Sequence, residues 1–303
     1  MTGVEWRMVL DTVFLPTAVT AGGLTAATVA ARRWPRSRAP LVTLALAVGF
    51  ASAEIAIRGW QDYWPADITR RLPQGALLVV IASGVRALFP ARWLGLLISI
   101  AIAVVVSSTF ALSGATTEFT SGEKVAWWCS LVALFLVSQV SLEQLAACRP
   151  AISLARLWAG CVGIGAGLLA ASGSLSLGQV CGALAVGLTI VILFAWRSSL
   201  SSLHAGPAEL VAVVFGVLLL AGHLFSGLPR SAALLMALSP HVAWMSSLPW
   251  LKNRPWRSEI AQGLVVIALL GAAVGIVIAN RPTQSEPSNP YESYMKESMD
   301  VEK

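Results

Sequence analysis

Glu54 and Arg58 stand four residues apart inside an apolar run that extends from about 40 to 60. A charge inside such a run costs several kcal/mol to hold in a bilayer, so an ionisable residue there is a functional candidate. On a helix Glu54 falls about 9 Å below the end of the run, and Arg58 shares its face. Glu before Arg at this spacing is the favourable order for a helical ion pair. The chemistry open to it is binding of a coupling ion, a proton or an anionic solute. The simpler role is a pair that neutralises itself, with the Arg58 stem reaching the interface.

His241 is the second candidate. It follows Pro240 directly and precedes Trp244 by one turn. Proline removes an N–H and leaves a carbonyl one turn back without its donor. A titratable ring beside a broken helix is how many carriers build their sites; a kinked helix with a hydrogen-bonded imidazole is the plainer outcome. Glu54, Arg58, His241 and Trp244 are therefore the expected path residues. Glu209, placed in the first turn of its run, is accounted for by the helix dipole. Glu143 with Arg149 reads as a solvated helix end.

Other chemistry is sparse. His204, His223 and His241 fit no metal-binding spacing. His223 and His241 fall on consecutive runs, but at depths about two turns apart, so they do not pair across a haem. Cys129, Cys148, Cys161 and Cys181 form no CxxC and lie in or beside apolar segments, where thiols act as small hydrophobes. There is no Walker loop, no dinucleotide fingerprint and no paired-carboxylate motif. The sequence implies no cofactor, no metal and no catalytic residue, and an enzyme ranks third among the readings.

The elements that must position these residues follow from composition. Of 303 residues 56% are hydrophobic and 12% charged, and the mean hydropathy is +0.74. A soluble domain carries about 25% charged residues, so soluble and disordered classes are excluded and an all-α, polytopic transmembrane bundle is expected. Its net charge of +6 points to loops facing anionic lipid and not to nucleic acid. A span needs about 20 apolar residues. Charges, prolines and glycines divide the chain into ten runs: 10–31, 40–60, 73–89, 93–112, 126–145, two within 157–196 parted by Ser172-Gly173-Ser174, 207–225, 231–250 and 260–279. The third and ninth are the weakest spans and are open to re-entrant or tilted forms. Residues 1–280 make the membrane domain. The acidic, Pro- and Ser-containing stretch 281–303 is expected to be flexible.

Lys and Arg are biased to the odd-numbered connections, twelve against seven on the other face. That places the odd connections in the cytoplasm and both termini outside a cell (inner) membrane. The N-terminus lacks a basic region ahead of its apolar run and does not read as a secretory signal. Tryptophans gather at run ends, as indoles do at headgroups; Trp158 lies just inside a boundary and Trp244 is the outlier. Ten spans invite a 5+5 inverted repeat, with weak echoes between the runs opening at Pro73 and Pro207. Gly163/Gly167 and Gly178/Gly182 each form a GxxxG, which suits close helix packing or an oligomer interface. The expected function is a secondary transporter or permease of a small solute or ion. The alternative is a non-catalytic scaffold or accessory subunit of a membrane complex, contacting lipid, a second copy or a partner through the Gly-rich runs.

Overall fold

The computed structural model describes Trp6 and residues 9–34, 38–59, 71–89, 91–111, 120–197, 205–247 and 255–280, and every regular element among them is helical. In order they are α1 (Leu10–Arg33, opening with a π-turn), α2 (Arg38–Arg58), α3 (Leu72–Leu88), α4 (Arg92–Ala111), α5 (Ser121–Cys148), α6 (Ala151–Ala171), α7 (Leu175–Arg197), α8 (Ala205–Phe225), α9 (Arg230–Leu238) and α10 (Pro255–Ala279). A 3-10 segment, Ser239–Ser247, continues α9. Eight of the ten helices are long and apolar enough to cross a membrane. The other two are α3, with 17 residues, and α9, which stops after 9. The acidic stretch 281–303 lies outside the described residues.

Local chemistry sets the helix ends. Thr120 and Glu123 form a reciprocal capping box that starts α5, satisfying donors that the first turn leaves open. Between α6 and α7, Gly173 adopts φ 111°, a left-handed value that suits glycine. The Ser174 N–H then donates back to the Leu169 carbonyl at 3.2 Å, closing the turn between the two helices. Pro240 ends the α-helical part of the ninth run. It cannot donate to the Met236 carbonyl four residues back, and the Ser239 hydroxyl bonds that carbonyl instead at 2.8 Å.

Helix α8 is the centre of the bundle: residues 206–215 are buried without exception. A helix apolar all round belongs inside other helices, and α2, α3, α5 and α9 pack about it. Glycine sets the close approaches. A Cβ at Gly216 would fall 2.8 Å from the Phe135 ring, and one at Gly49 or Gly206 would collide with the hydroxyls of Thr20 or of Thr43 and Ser83. The periphery is α1, α4, α5 and α10, which expose Val29, Leu97, Val137 and Ile267. Exposed rows of this kind would aggregate in water, whereas in lipid they match the solvent. Trp158, expected near a boundary, is fully buried in α6.

Helices consecutive in the chain alternate in direction, which brings the ends of α3 and α5 together with the starts of α4 and α8. The same end carries the basic connections and is called the basic end below.

Candidate functional site

Arg86 lies in the last turn of α3 and reaches into the bundle. Its Nη1 donates to Glu143 of α5, a very short contact in an ion pair. Its Nη2 donates to Glu209 Oε1 of α8 at 3.2 Å, and on α4 to the Ser99 hydroxyl at 2.6 Å and the Gly95 carbonyl at 3.0 Å. One guanidinium thus joins four helices. Its planar fork of donors suits this better than an ammonium would. With all three groups ionised, two carboxylates face one cation, and the set carries one net negative charge.

The local sequence explains the meeting. Glu143 is five residues before the end of α5 and Glu209 four residues into α8, so both lie within about 8 Å of the basic end. Glycines remove the bulk that would keep α8 away: Gly206, one turn before Glu209, lets Thr43 of α2 and Ser83 of α3 close over it, and those two hydroxyls lie 3.3 Å apart. On α5, Phe135, Gln139, Leu142 and Ala146 are buried; Phe135 meets α8 at Gly216, and Gln139 stands one turn from it and one turn from Glu143. Gln139 is 0% exposed, and neither of its amide atoms has a hydrogen-bond partner among the described residues; the same is true of Glu209 Oε2.

A cleft opens toward the opposite end of the same helices, between α3, α4 and α8. Leu78, Val105, Thr109, Phe110, Val213 and Val217 line it, with Arg71 and Gln74 at its α3 edge. Leu78 is eight residues from Arg86 and Val213 four from Glu209, so the cleft stops roughly 6–12 Å short of the charge cluster.

The expected path residues lie apart from this cluster, in two pairs. Glu54 and Arg58 pair at 3.6 Å within α2, both side chains largely buried, toward the end of the bundle away from Arg86. His241 is held on α5, its Nδ1 2.8 Å from the Ser141 hydroxyl and its Nε2 3.3 Å from that of Ser138. Trp244, the outlier among the tryptophans, donates its Nε1–H to Ser141 at 2.7 Å. Arg149 caps the same segment by donating to the Ala243 carbonyl at 3.3 Å. The 3-10 segment is therefore pinned to α5 by its own side chains. His223 engages the Leu228 carbonyl at 2.9 Å in the α8–α9 turn, well away from His241.

Two readings of charged residues change. Glu209 is not a first-turn, dipole-balancing carboxylate: α8 begins at Ala205, two residues earlier than expected, and Glu209 is bound by Arg86. Glu143 does not pair with Arg149 at a solvated end; Arg86 takes it, and Arg149 turns to the 3-10 segment. Arg86 itself, counted with the basic connections, belongs to the interior. A signal for the cluster was available. Arg86, Glu143 and Glu209 all fall within a few residues of the same end of their runs, two negative and one positive, and only charges at one depth can meet. Among the glycines, a Cβ at Gly178 would lie 2.8 Å from both the Ala166 carbonyl and the Ala170 Cβ, whereas Gly163 and Gly167 are exposed on α6 and Gly182 has looser neighbours. No protein family, curated protein or solved structure matches the chain.

Proposed function

We propose that the chain is a secondary transporter or permease for a small solute or ion, with its path along the α3–α4–α5–α8 seam. The observation that carries this reading is the buried Arg86–Glu143–Glu209 cluster, set in line with a cleft that opens at the other end of the same helices. Buried charge in a membrane helix bundle is costly and marks ion and substrate pathways. The cleft then serves as the entry from the non-cytoplasmic side, and the cluster as the closed cytoplasmic gate. Arg86 crosses all four helices there, so the gate opens only when its bonds are redistributed. A solute that competes for Arg86 or for a carboxylate supplies the differential interaction that such a switch requires.

In this reading all ten helices cross a cell (inner) membrane, with both termini outside. Helix α3 spans about 25 Å at 1.5 Å per residue, short of roughly 30 Å of hydrocarbon, and its place between α2, α4 and α8 lets the bilayer thin only locally. The nine residues of α9 and the nine of the 3-10 segment together reach about 30 Å, because a 3-10 turn rises about 2 Å per residue. A 5+5 inverted repeat is supported by two pairings of equivalent helices, α2 with α7 and α3 with α8.

The reading is tested by reconstituting the purified protein in liposomes and screening uptake of small ionic and zwitterionic solutes. Val105→Cys, in a variant lacking the four native cysteines, should react with a membrane-impermeant thiol reagent from outside, and a transported solute should protect it. A Val105→Cys thiol inert from both sides, with no solute accumulated, would sink the carrier reading. One observation favours the scaffold reading instead: Gly160, Gly163 and Gly167 make an exposed strip along α6, which would accept a second copy or a partner helix.

A further inference from the structure

The buried seam between α5 and α8 holds more oxygen ligands than Arg86 uses. Glu209 Oε1 is bound to the guanidinium, but Oε2 is buried without a partner among the described residues, and so are both polar atoms of Gln139. A buried donor or acceptor left unmade pays its full desolvation cost, so three of them in one seam call for an explanation. Their placement supplies it. Along α5, Phe135 meets α8 at Gly216 and Glu143 meets the ion pair; Gln139 lies midway, four residues from each, and is 0% exposed. It therefore stands in the α5–α8 contact, one turn from Glu143 and on the side of Glu209. The charged groups facing Glu209 are Arg86 from α3 and Glu143 from α5. Helix α4 brings the uncharged Ser99, and α2 the uncharged Thr43 beside Ser83.

We propose that this seam is a binding site for one monovalent cation, with Glu209 Oε2 as the charged ligand and the Gln139 side-chain carbonyl as a neutral one. The charge count selects the occupant. With both carboxylates ionised against one guanidinium one negative charge is left, which a single positive charge, a proton included, balances. A divalent ion would overshoot, and it needs several carboxylate or carbonyl oxygens around it, whereas Glu143 and one oxygen of Glu209 are already spent on Arg86. Intramembrane carboxylates that face a bundle interior mark ion pathways and proton relays, and carriers hold Na⁺ or H⁺ on oxygen ligands between helices. Binding there draws Glu209 toward α5 and away from Arg86, which loosens the four-helix crossing. The site deepens the carrier reading and rests on it for its role, but not for its existence.

The experiment is thermal unfolding of the purified full chain in detergent at constant ionic strength. In one arm choline is replaced by Na⁺, K⁺ or Li⁺ at pH 8; in the other, pH is lowered from 8 to 6 in choline. The wild type should gain several degrees, saturably, in at least one arm, the metal arm marking a metal cation and the pH arm a proton. Glu209→Gln should abolish the gain, Gln139→Leu should raise the half-saturating concentration several-fold, and Glu54→Gln should leave both unchanged. If Glu209→Gln does not fold, Glu209→Asp should shift half-saturation upward. A wild type that gains nothing in either arm, or a gain that survives Glu209→Gln, overturns the site. Cation binding without uptake in liposomes would instead overturn the carrier reading, and uptake indifferent to Glu209→Gln would overturn the site's coupling role alone.

Discussion

Glu54 and Arg58 close their ion pair inside one helix, four residues apart at 3.6 Å, whereas Arg86 draws its partners from three other helices, 57 and 123 residues away in the chain for the two carboxylates. The first pair joins residues one turn apart on the same helix, so its two charges are brought together by α2 itself. The second exists only in the assembled bundle, leaves one negative charge over, and is the main polar tie across the α3–α4–α5–α8 seam. A buried ion pair is weak evidence for stability, because desolvation offsets most of its attraction, but breaking one by removing a single partner is costly. That asymmetry separates a pair that can be deleted whole from a network that cannot lose its hub.

The largest effect is expected at the hub. Arg86→Ala leaves two carboxylates buried together and should cost about 3–5 kcal/mol, seen as a large fall in Tm and in the yield of monodisperse protein. Adding Glu143→Gln and Glu209→Gln to that variant should recover most of the loss. A single Arg86→Ala variant as stable as wild type would mean that the seam is held by packing alone. Next comes Ser141→Ala, which takes a partner from both His241 and Trp244. Each lost hydrogen bond inside a membrane bundle is worth about 0.6–1.7 kcal/mol, and faster hydrogen exchange should appear in 239–247 but not in α2. The double variant Glu54→Gln/Arg58→Gln removes both charges of the α2 pair together and should lower Tm less than Arg86→Ala, because neither charge of that pair is left buried opposite a missing partner. A loss as large as that of Arg86→Ala would erase the contrast between the two charge sets. The smallest effect is at glycine. Gly167→Ala, with open space around the added methyl, should be neutral or stabilise by up to about 1 kcal/mol through helix propensity. Gly178→Ala, facing the Ala166 carbonyl and the Ala170 methyl at 2.8 Å, should lower Tm and spread α6 from α7.

Much of the architecture was legible residue by residue. Most helices follow their apolar runs to within a few residues; α5 and α10 begin five residues early, at Ser121 and Pro255, α6 begins six early, at Ala151, and α9 stops at Leu238. The Ser172-Gly173-Ser174 turn parts α6 from α7, and Pro240 breaks the ninth run with His241 hydrogen-bonded beside it. The third and ninth runs, the weakest as spans, are the two whose helices, of 17 and 9 residues, fall short of the length of a crossing helix among the described residues. The site was less legible. Glu143 and Glu209 each had a sufficient local explanation, a solvated end and a helix dipole, and a local explanation conceals a distant partner. Arg86 was counted as a topological charge because three residues from a run end is also where loop arginines begin. Gln139 gave no signal at all: one glutamine in a 28-residue apolar helix has no spacing or partner type to mark it.

Sequence by itself determined the solvent, the segments and their ends. In lipid each backbone donor and acceptor must be satisfied within its own segment, so the length of an apolar run and the caps at its limits settle where helices lie without reference to the rest of the chain. Only the tertiary structure decided which helices are neighbours. The lipid-facing side of a membrane helix is as apolar as its packed side, so the pattern carries little information about direction around the axis. That direction is set by where glycines admit close approach, at Gly49, Gly206 and Gly216, and it is what turns three charges at one depth into a single cluster around Arg86.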